Sequence, residues 1–216
     1  HQKVLPTRDA SGALAPHFLA VADHTGDPKG HIVRGNEWVL NARFADARFF
    51  WDDDGKVPLE ARVPRLERLS FQEKLGDTLR KTERVEALSA RLAADLGLGG
   101  SAREATRAAR LARADLVTDM VREFPDLQGV VGGLYARRDG ESEAVWQAVY
   151  DHYLPAGADD ALPRDAVGRV VALADRLDTL AGFFALGLVP TGSRDPYALR
   201  RAALGVVRIL LEGGIR

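Results

Sequence analysis

The segment DAVGRVVALADRLDTLAGFFA, residues 165–185, carries a long helical pattern from which the rest of the fold can be read. Its apolar residues return every three or four positions, which is the repeat of one face of an α-helix. Asp165 stands where a helix N-cap is expected, because its carboxylate can accept the first free backbone amides. We therefore predict a long apolar helix that runs through Val170, Leu173, Leu177, Leu180 and Phe184.

The segments before this stretch carry the same helical signals. Apolar residues recur every three or four positions at Val85, Leu88, Leu92 and Leu96. This spacing predicts a helix that ends at Gly97. Ser101 and Glu104 fit a capping box, in which each side chain bonds the other residue's amide. We expect that box to open a single helix over 102–124, with Ala105, Ala109, Ala112, Leu116 and Met120 on one face and Pro125 at its end.

The last third of the chain predicts two more helices. A glycine-rich connection over 129–133 leads to a helix near 141–153, and a loop over 155–163 follows. Asp195 and Pro196 predict a capped helix with proline at its first position. Its inward residues are expected to be Leu199, Ala203, Val206 and Leu210.

The first 64 residues differ in pattern from the rest. Residues 1–16 read as an irregular lead-in, and the apolar run 17–22 predicts a strand. Asn36 is a candidate N-cap for a helix through Trp38 and Phe50. The expected fold is mainly α: a small α/β segment over 1–64, followed by a helical bundle over 65–216.

Composition excludes several classes of protein. The 216 residues are 46% hydrophobic and 28% charged with a net charge of −1, as in ordinary globular proteins. The absence of cysteine excludes disulfides and thiol catalysis, and no apolar run approaches the ~18 residues of a membrane span. Because the only methionine is Met120, we expect the chain to be a piece of a longer polypeptide.

Catalytic signatures are missing, but three carboxylates stand out. The sequence contains no phosphate-binding P-loop, no HExxH zinc motif and no GxSxG nucleophile motif. Asp115, Asp175 and Asp178 lie inside apolar helical stretches, where an unpaired carboxylate is costly. They either pair with arginines such as Arg113 and Arg176, or with backbone amides, or they bind a divalent metal.

The carboxylates resemble part of the HD superfamily of metal-dependent phosphohydrolases. In that family a His-Asp pair and a later Asp hold the metal, and the resemblance places Asp115 and Asp175 at two of these positions. Ala114 stands where the histidine is expected, and residues 32–151 contain no histidine. We therefore expect a degenerate HD-like domain with no metal, in which Asp115 and Asp175 are vestigial.

A broader resemblance covers nearly the whole chain. Eight stretches in order resemble the β subunit of bacterial tetrameric glycyl-tRNA synthetase: RGNE at 34–37, RFADARFF at 43–50, FQEKLG at 71–76, KTER at 81–84, DLVTDMVREF at 115–124, DLQG at 126–129, ADRLDTL at 174–180 and PTGSRDPYALRRAA at 190–203. The resemblance implies a part in an ATP-dependent aminoacyl-tRNA synthetase of the cytoplasm, with tRNA(Gly) and the α subunit of an α2β2 tetramer as partners. It also implies that the α subunit uses ATP and Mg²⁺, while this piece contributes no catalytic residue and binds no cofactor.

Arginine and lysine clusters are the candidate RNA contacts, because phosphates and 2′-hydroxyls are read by cations on an exposed face. The alternative for each cluster is an ordinary solvated helix face with ion pairs to Glu83 or Glu104. The competing functions are a divergent HD-type phosphohydrolase and a helical scaffold that only positions other domains. The candidate RNA-binding residues are Lys74, Arg80, Lys81 and Arg84; Arg103, Arg107 and Arg110; and Arg194, Arg200 and Arg201.

Overall fold

The computed structural model describes residues 4–23, 26–191 and 194–214. Helices predominate in these ranges and the strands form two small antiparallel pairs, so the expected mainly α fold is confirmed. The chain divides into two compact units, residues 1–51 and 52–216. This division rests on packing alone. It does not test the domain boundary expected at 64/65 or the HD-like label, and both stay predictions.

The first unit begins with a β-hairpin, where we expected an irregular lead-in. Strands β1 (Val4–Arg8) and β2 (Leu14–Ala20) pair antiparallel, with Val4 opposite Ala20. The Asp9 carboxylate accepts the amides of Ser11 and Ala13 and so closes the turn. The irregular reading is therefore wrong for residues 4–16, while 1–3 lie outside the described residues, and the predicted strand over 17–22 corresponds to β2.

Helix α1 (His31–Asp54) begins earlier than predicted. The Asp27 carboxylate, rather than Asn36, accepts the amides of His31, Ile32 and Val33. Asn36 lies inside the helix and donates to the carbonyl of Ile32 at 2.9 Å. The N-cap prediction is wrong because an acid before Gly30 captures the first free amides.

The second unit opens with short elements that lead into a long helix. These are α2 (Leu59–Arg62), a 3-10 turn over Val63–Arg68, and strands β3 (Ser70–Gln72) and β4 (Gly76–Asp77). Helix α3 (Thr78–Asp95) follows, with the Asp77 carboxylate accepting the Arg80 amide. Val85 is fully buried and Gly97 adopts a φ of 71°, which confirms the predicted helix and its end.

The predicted single helix over 102–124 is in fact three short elements. They are α4 (Ala102–Leu111), a 3-10 turn over Ala114–Val117 and α5 (Asp119–Glu123). The Thr118 hydroxyl accepts the Val121 amide, and the Asp54 carboxylate accepts the amides of Asp119 and Met120. These two caps start a new helix. Ser101 makes no capping hydrogen bond, so the capping box is also wrong.

The glycine-rich connection contains a helix that we did not predict. Helix α6 (Val130–Arg138) packs closely against α7 (Glu143–Asp151). A Cβ added to Gly133 would lie 2.5 Å from the Cβ of Tyr150 and 2.9 Å from the carbonyl oxygen of Trp146. Glycine is therefore required where the two helices cross.

Helix α8 (Ala166–Ala185) occupies the centre of the second unit, and its bounds confirm the long helix that the opening stretch predicts. Phe184 of that stretch is 51% exposed, while its neighbour Phe183 is buried. The Asp165 carboxylate accepts the Gly168 amide at 2.6 Å, which confirms the N-cap. The helix contacts α3, α4, α7 and α9, and its Ala172 and Leu173 form a buried cluster with Ile209. Every helix that carries a candidate site thus packs on α8 or on one of its neighbours.

Helix α9 (Leu199–Glu212) begins three residues after Pro196, so proline is not at its first position. Its inward side holds Leu199, Gly205 and Ile209, whereas Ala203 and Leu210 are exposed. Val206 is partly buried and packs on the cluster of Ala172, Leu173 and Ile209, so the predicted inward face is confirmed at Leu199 and Val206 and wrong at Ala203 and Leu210. None of the helices in the described ranges combines the length and the apolar character that crossing a bilayer requires.

Candidate functional site

The second unit encloses a cluster of charged side chains between α3, α8 and the end of α4. Asp175 of α8 accepts one hydrogen bond from Arg113 at 2.5 Å and lies 3.0 Å from the Lys81 ammonium. Lys81 is only 2% exposed and also donates to Thr179 and to Asp178. A single acid thus binds two buried cations.

Asp178 joins the same cluster from the next turn of α8. Its carboxylate accepts from Arg84 at 2.6 Å and 3.2 Å, a bidentate contact, and from Lys81 at 3.1 Å. Bidentate pairs between guanidinium and carboxylate are strong and directional. They fix α3 against α8, so Lys81 and Arg84 serve the packing of these two helices.

The electrostatics of Asp175 follow from its surroundings. Burial alone raises the pKa of its carboxyl group, but the charges of Arg113 and Lys81 outweigh burial and hold that pKa well below its usual range. Burial lowers the pKa of Lys81, against the opposing effect of Asp175. Asp175 is therefore a permanently ionised partner of cations.

Asp115 has a different environment, in the turn between α4 and α5. It is fully buried, and its Oδ2 accepts the amides of Gly129 at 2.6 Å and Gly132 at 3.1 Å. Its Oδ1 has no hydrogen-bond partner among the residues that the structure describes. Burial raises the pKa of Asp115 to about 6, although both amides act in the opposite direction.

His152 follows α7 and is also fully buried. Its Nδ1 lies 2.7 Å from the carbonyl oxygen of Val149, and its ring packs on Tyr153 with 3.8 Å between centroids. Burial, followed by the charge of Arg113, lowers the pKa of His152 to about 4. The imidazole is therefore neutral at physiological pH, and its Nε2 has no partner within the described part of the chain.

These residues do not fit a divalent cation. A metal needs several oxygen or nitrogen donors around one point, whereas the Asp175 carboxylate faces an ammonium and a guanidinium. In residues 4–23, 26–191 and 194–214, no three His, Cys, Asp or Glu side chains lie close enough to hold one ion. Of the two readings of Asp115 and Asp175, the geometry favours structural pairing.

The candidate RNA contacts on α4 are only partly available. Arg107 forms ion pairs with Glu141 at 2.6 Å and with Glu60, and Arg110 binds Glu60 at 2.8 Å. Arg103 is exposed. The structure thus brings the three arginines together on one helix but joins two of them to acids from other elements.

The cluster around α3 is divided in the same way. Lys81 is buried and Arg84 binds Asp178, so these two do not share an exposed face with the others. Arg80 is exposed and pairs with Glu83 at 3.3 Å, and Lys74 is exposed. The sequence gives no sign of this division, since the partners of Lys81 lie more than 90 positions away.

The third cluster lies at the start of α9. Arg194, Arg200 and Arg201 are all exposed there. The Asp195 carboxylate accepts the amides of Leu199 at 2.8 Å and Arg200 at 2.9 Å, so these amides are not open to a phosphate. Two residues of the preceding loop, 192 and 193, lie outside the described residues.

One feature of the surface was missed by sequence reasoning. Trp146 and Tyr150, one turn apart on α7, lie next to Arg137 and Arg164. The spacing of the two aromatic residues is the signal that could have indicated it, because residues four apart share a helix face.

Comparisons with known proteins agree with one another. The family model described as glycyl-tRNA synthetase beta subunit matches residues 1–216. Glycine–tRNA ligase β subunits are 49% identical in Neisseria meningitidis serogroup C (strain 053442), 49% in Acidithiobacillus ferrooxidans (strain ATCC 53993) and 50% in Rhodospirillum centenum, over 100% of this chain. The chain covers 31%, 31% and 30% of these relatives, so it spans about a third of their length. The chain therefore belongs to the glycyl-tRNA synthetase β-subunit family.

Proposed function

We propose that this chain takes part in the glycylation of tRNA and that its own contribution is to bind tRNA(Gly). The relatives that support this are named as β subunits of a glycine–tRNA ligase. The proposal includes an α subunit as partner, in an α2β2 tetramer of the cytoplasm, because a β subunit implies a second kind of chain.

We also propose that the chain supplies no catalytic residue and binds neither ATP nor Mg²⁺, which the α subunit uses. The internal polar cluster supports this, because its acids are bound by Lys81, Arg84 and Arg113 and by backbone amides. The same contacts argue against a phosphohydrolase that uses Asp115 and Asp175.

The observation that carries the tRNA proposal is the exposed cluster Arg194, Arg200 and Arg201. Among the described residues, the side chains of Arg194 and Arg201 form no ion pair, whereas Arg107 and Arg110 do. Arginine suits phosphate because its planar guanidinium donates two parallel hydrogen bonds. The start of α9 is therefore the first place to look for an RNA contact, with Arg103 and Lys74 as further exposed cations.

A double substitution tests this cluster. Arg200→Gln with Arg201→Gln should weaken tRNA binding about tenfold at low salt and reduce the slope of log K against log salt by about 1–2, because each lost phosphate contact reduces the slope. The measurement is a filter-binding titration at several salt concentrations.

The matched control is Arg91→Gln with Arg122→Gln, which removes the same charge from two other exposed sites. It should leave the salt slope and affinity nearly unchanged. Equal binding by a folded Arg200/Arg201 variant would remove these two residues from the proposal. If the unaltered chain does not bind RNA, the helical scaffold is the favoured function. The many internal ion pairs are also compatible with that function.

A further inference from the structure

Four side chains form a compact surface where the end of α6, α7 and the start of α8 meet. We call Arg137, Trp146, Tyr150 and Arg164 the arginine–aromatic cluster. The Arg137 guanidinium lies 5.3 Å from the Trp146 ring centroid. The Arg164 guanidinium lies 5.9 Å from Trp146 and 5.1 Å from the Tyr150 ring. Each contact is within the range of a cation–π interaction.

Arg164 is held in place by the protein interior. Its Nε and Nη2 each donate to the Asp151 carboxylate at 2.8 Å, and its backbone amide donates to the same group at 3.0 Å. Asp151 is 2% exposed, so this anchor is rigid. Gly133 lets α7 approach α6 closely, which places Trp146 beside Arg137. The surface is thus formed before any partner arrives, and preorganisation lowers the cost of binding.

One of the two cations in the cluster has no acidic partner among the described residues. Arg137 is exposed and, within the described residues, its side chain has no hydrogen bond or ion pair. Glu141 is paired with Arg107, and Asp151 is paired with Arg164. Asp139, Glu143 and Asp165 only accept hydrogen bonds from amides, so their charges are not cancelled. Arg137 is therefore the cation of the cluster that is open to an anionic partner.

We propose that the arginine–aromatic cluster binds an unpaired nucleotide of RNA. Unpaired bases stack on aromatic rings and on guanidinium planes, while arginine donors bind the adjacent phosphate. The cluster offers both kinds of surface side by side, with Arg137 free to contact phosphate. This inference rests on the proposed binding of tRNA. It adds a second contact, separate from Arg194, Arg200 and Arg201, that distinguishes single-stranded from paired RNA.

Two variants and two RNA probes test the proposal. The probes are a short single-stranded RNA and a blunt duplex of the same sequence, titrated against the 216-residue chain by fluorescence anisotropy. Trp146→Ala should weaken binding of the single strand about tenfold and of the duplex less than twofold, because stacking needs an unpaired base. Arg137→Gln should weaken single-strand binding about five- to tenfold and reduce the salt slope by about 1.

Trp146→Phe separates stacking from folding, since phenylalanine retains an aromatic face and should restore most of the single-strand affinity. Arg91→Gln is the control for Arg137→Gln, because it removes an exposed arginine elsewhere. If the Arg137 variant binds both probes like the unaltered chain, the cluster is not an RNA contact, and the proposed tRNA function stands on its other residues. If poly-glutamate displaces neither probe from the unaltered chain, an acidic peptide is excluded as the preferred ligand; if it displaces both at lower concentration than RNA, the proposal is overturned.

Discussion

At the scale of single residues, Asp115 and His152 are two buried groups whose charged forms destabilise the folded chain. Asp115 becomes charged as the pH rises, whereas His152 becomes charged as the pH falls. Burial raises the pKa of Asp115 to about 6 and lowers that of His152 to about 4. Between pH 4 and 6 the folded chain therefore keeps a proton on Asp115 that the unfolded chain loses. In nearly the same pH range, His152 binds a proton in the unfolded chain but not in the folded chain.

The two effects predict a pH profile that single substitutions change in opposite ways. Linkage makes the Asp115 contribution fall by about 3 kcal/mol as pH rises from 4 to 6, and the His152 contribution rise by about 3 kcal/mol from pH 4 to 6.5. His152→Asn should therefore give a free energy of unfolding that declines with pH relative to the unaltered chain. Asp115→Asn should give one that increases. Urea unfolding at half-unit pH steps measures both.

The double variant is the internal control for this prediction. With both groups removed, the opposing slopes disappear together, so its profile should run parallel to that of the unaltered chain between pH 4 and 6. Profiles of the two single variants that also run parallel would show that the two side chains are not buried in their uncharged forms.

Residue-scale prediction from sequence succeeded where the partner is nearby and failed where it is distant. Asp165 caps the helix that begins beside it, and sequence alone indicates this. Lys81 looked like an exposed cation, yet it is buried against Asp175 and Asp178 of α8. Its burial depends on the packing of α3 on α8, which no local pattern contains.

At the scale of elements, α6 shows how packing overrides helix propensity. Gly132 and Gly133 disfavour a helix by about 1 kcal/mol each, and for that reason the segment reads as a loop. In the structure, the same glycines let the helix approach Asp115 and Tyr150, where any Cβ would collide. The break between α4 and α5 also depends on a residue distant in sequence, because the carboxylate that caps α5 belongs to Asp54 of α1.

Substitution of Gly133 tests this account of α6 and α7. Gly133→Ala should lower the free energy of unfolding by about 1–3 kcal/mol, because the new methyl group meets the Cα of Tyr150 at 2.8 Å and backbone cannot yield easily. Urea unfolding followed by circular dichroism measures the loss.

The matched control is Gly99→Ala, at a glycine with open space around its Cβ position and no left-handed φ. It should change stability by less than about 0.5 kcal/mol. A Gly133 variant as stable as the Gly99 variant would mean that α6 and α7 do not cross as closely as described.

At the scale of the whole molecule, family membership was predictable because eight ordered stretches, spread over nearly the full chain, resemble the family. The predominance of helices was predictable from their spacing of apolar residues. The distribution of charge over the surface was not, since many arginines that look available are bound by acids from distant elements, as Arg107 is by Glu141. The exposed cations that we propose as RNA contacts are those at the start of α9 and Arg137 of the arginine–aromatic cluster, with Arg103 and Lys74 as further candidates.

The measurement that tests the tRNA proposal most directly is a salt-series titration of the unaltered chain with tRNA(Gly) and with an unrelated RNA hairpin. Contacts to about four to six phosphates predict that log K falls with log salt at a slope of about −3 to −5. At every salt concentration the tRNA should bind more tightly than the hairpin. RNA binding that is undetectable even at low salt, or equal affinity for both RNAs, would contradict the proposal.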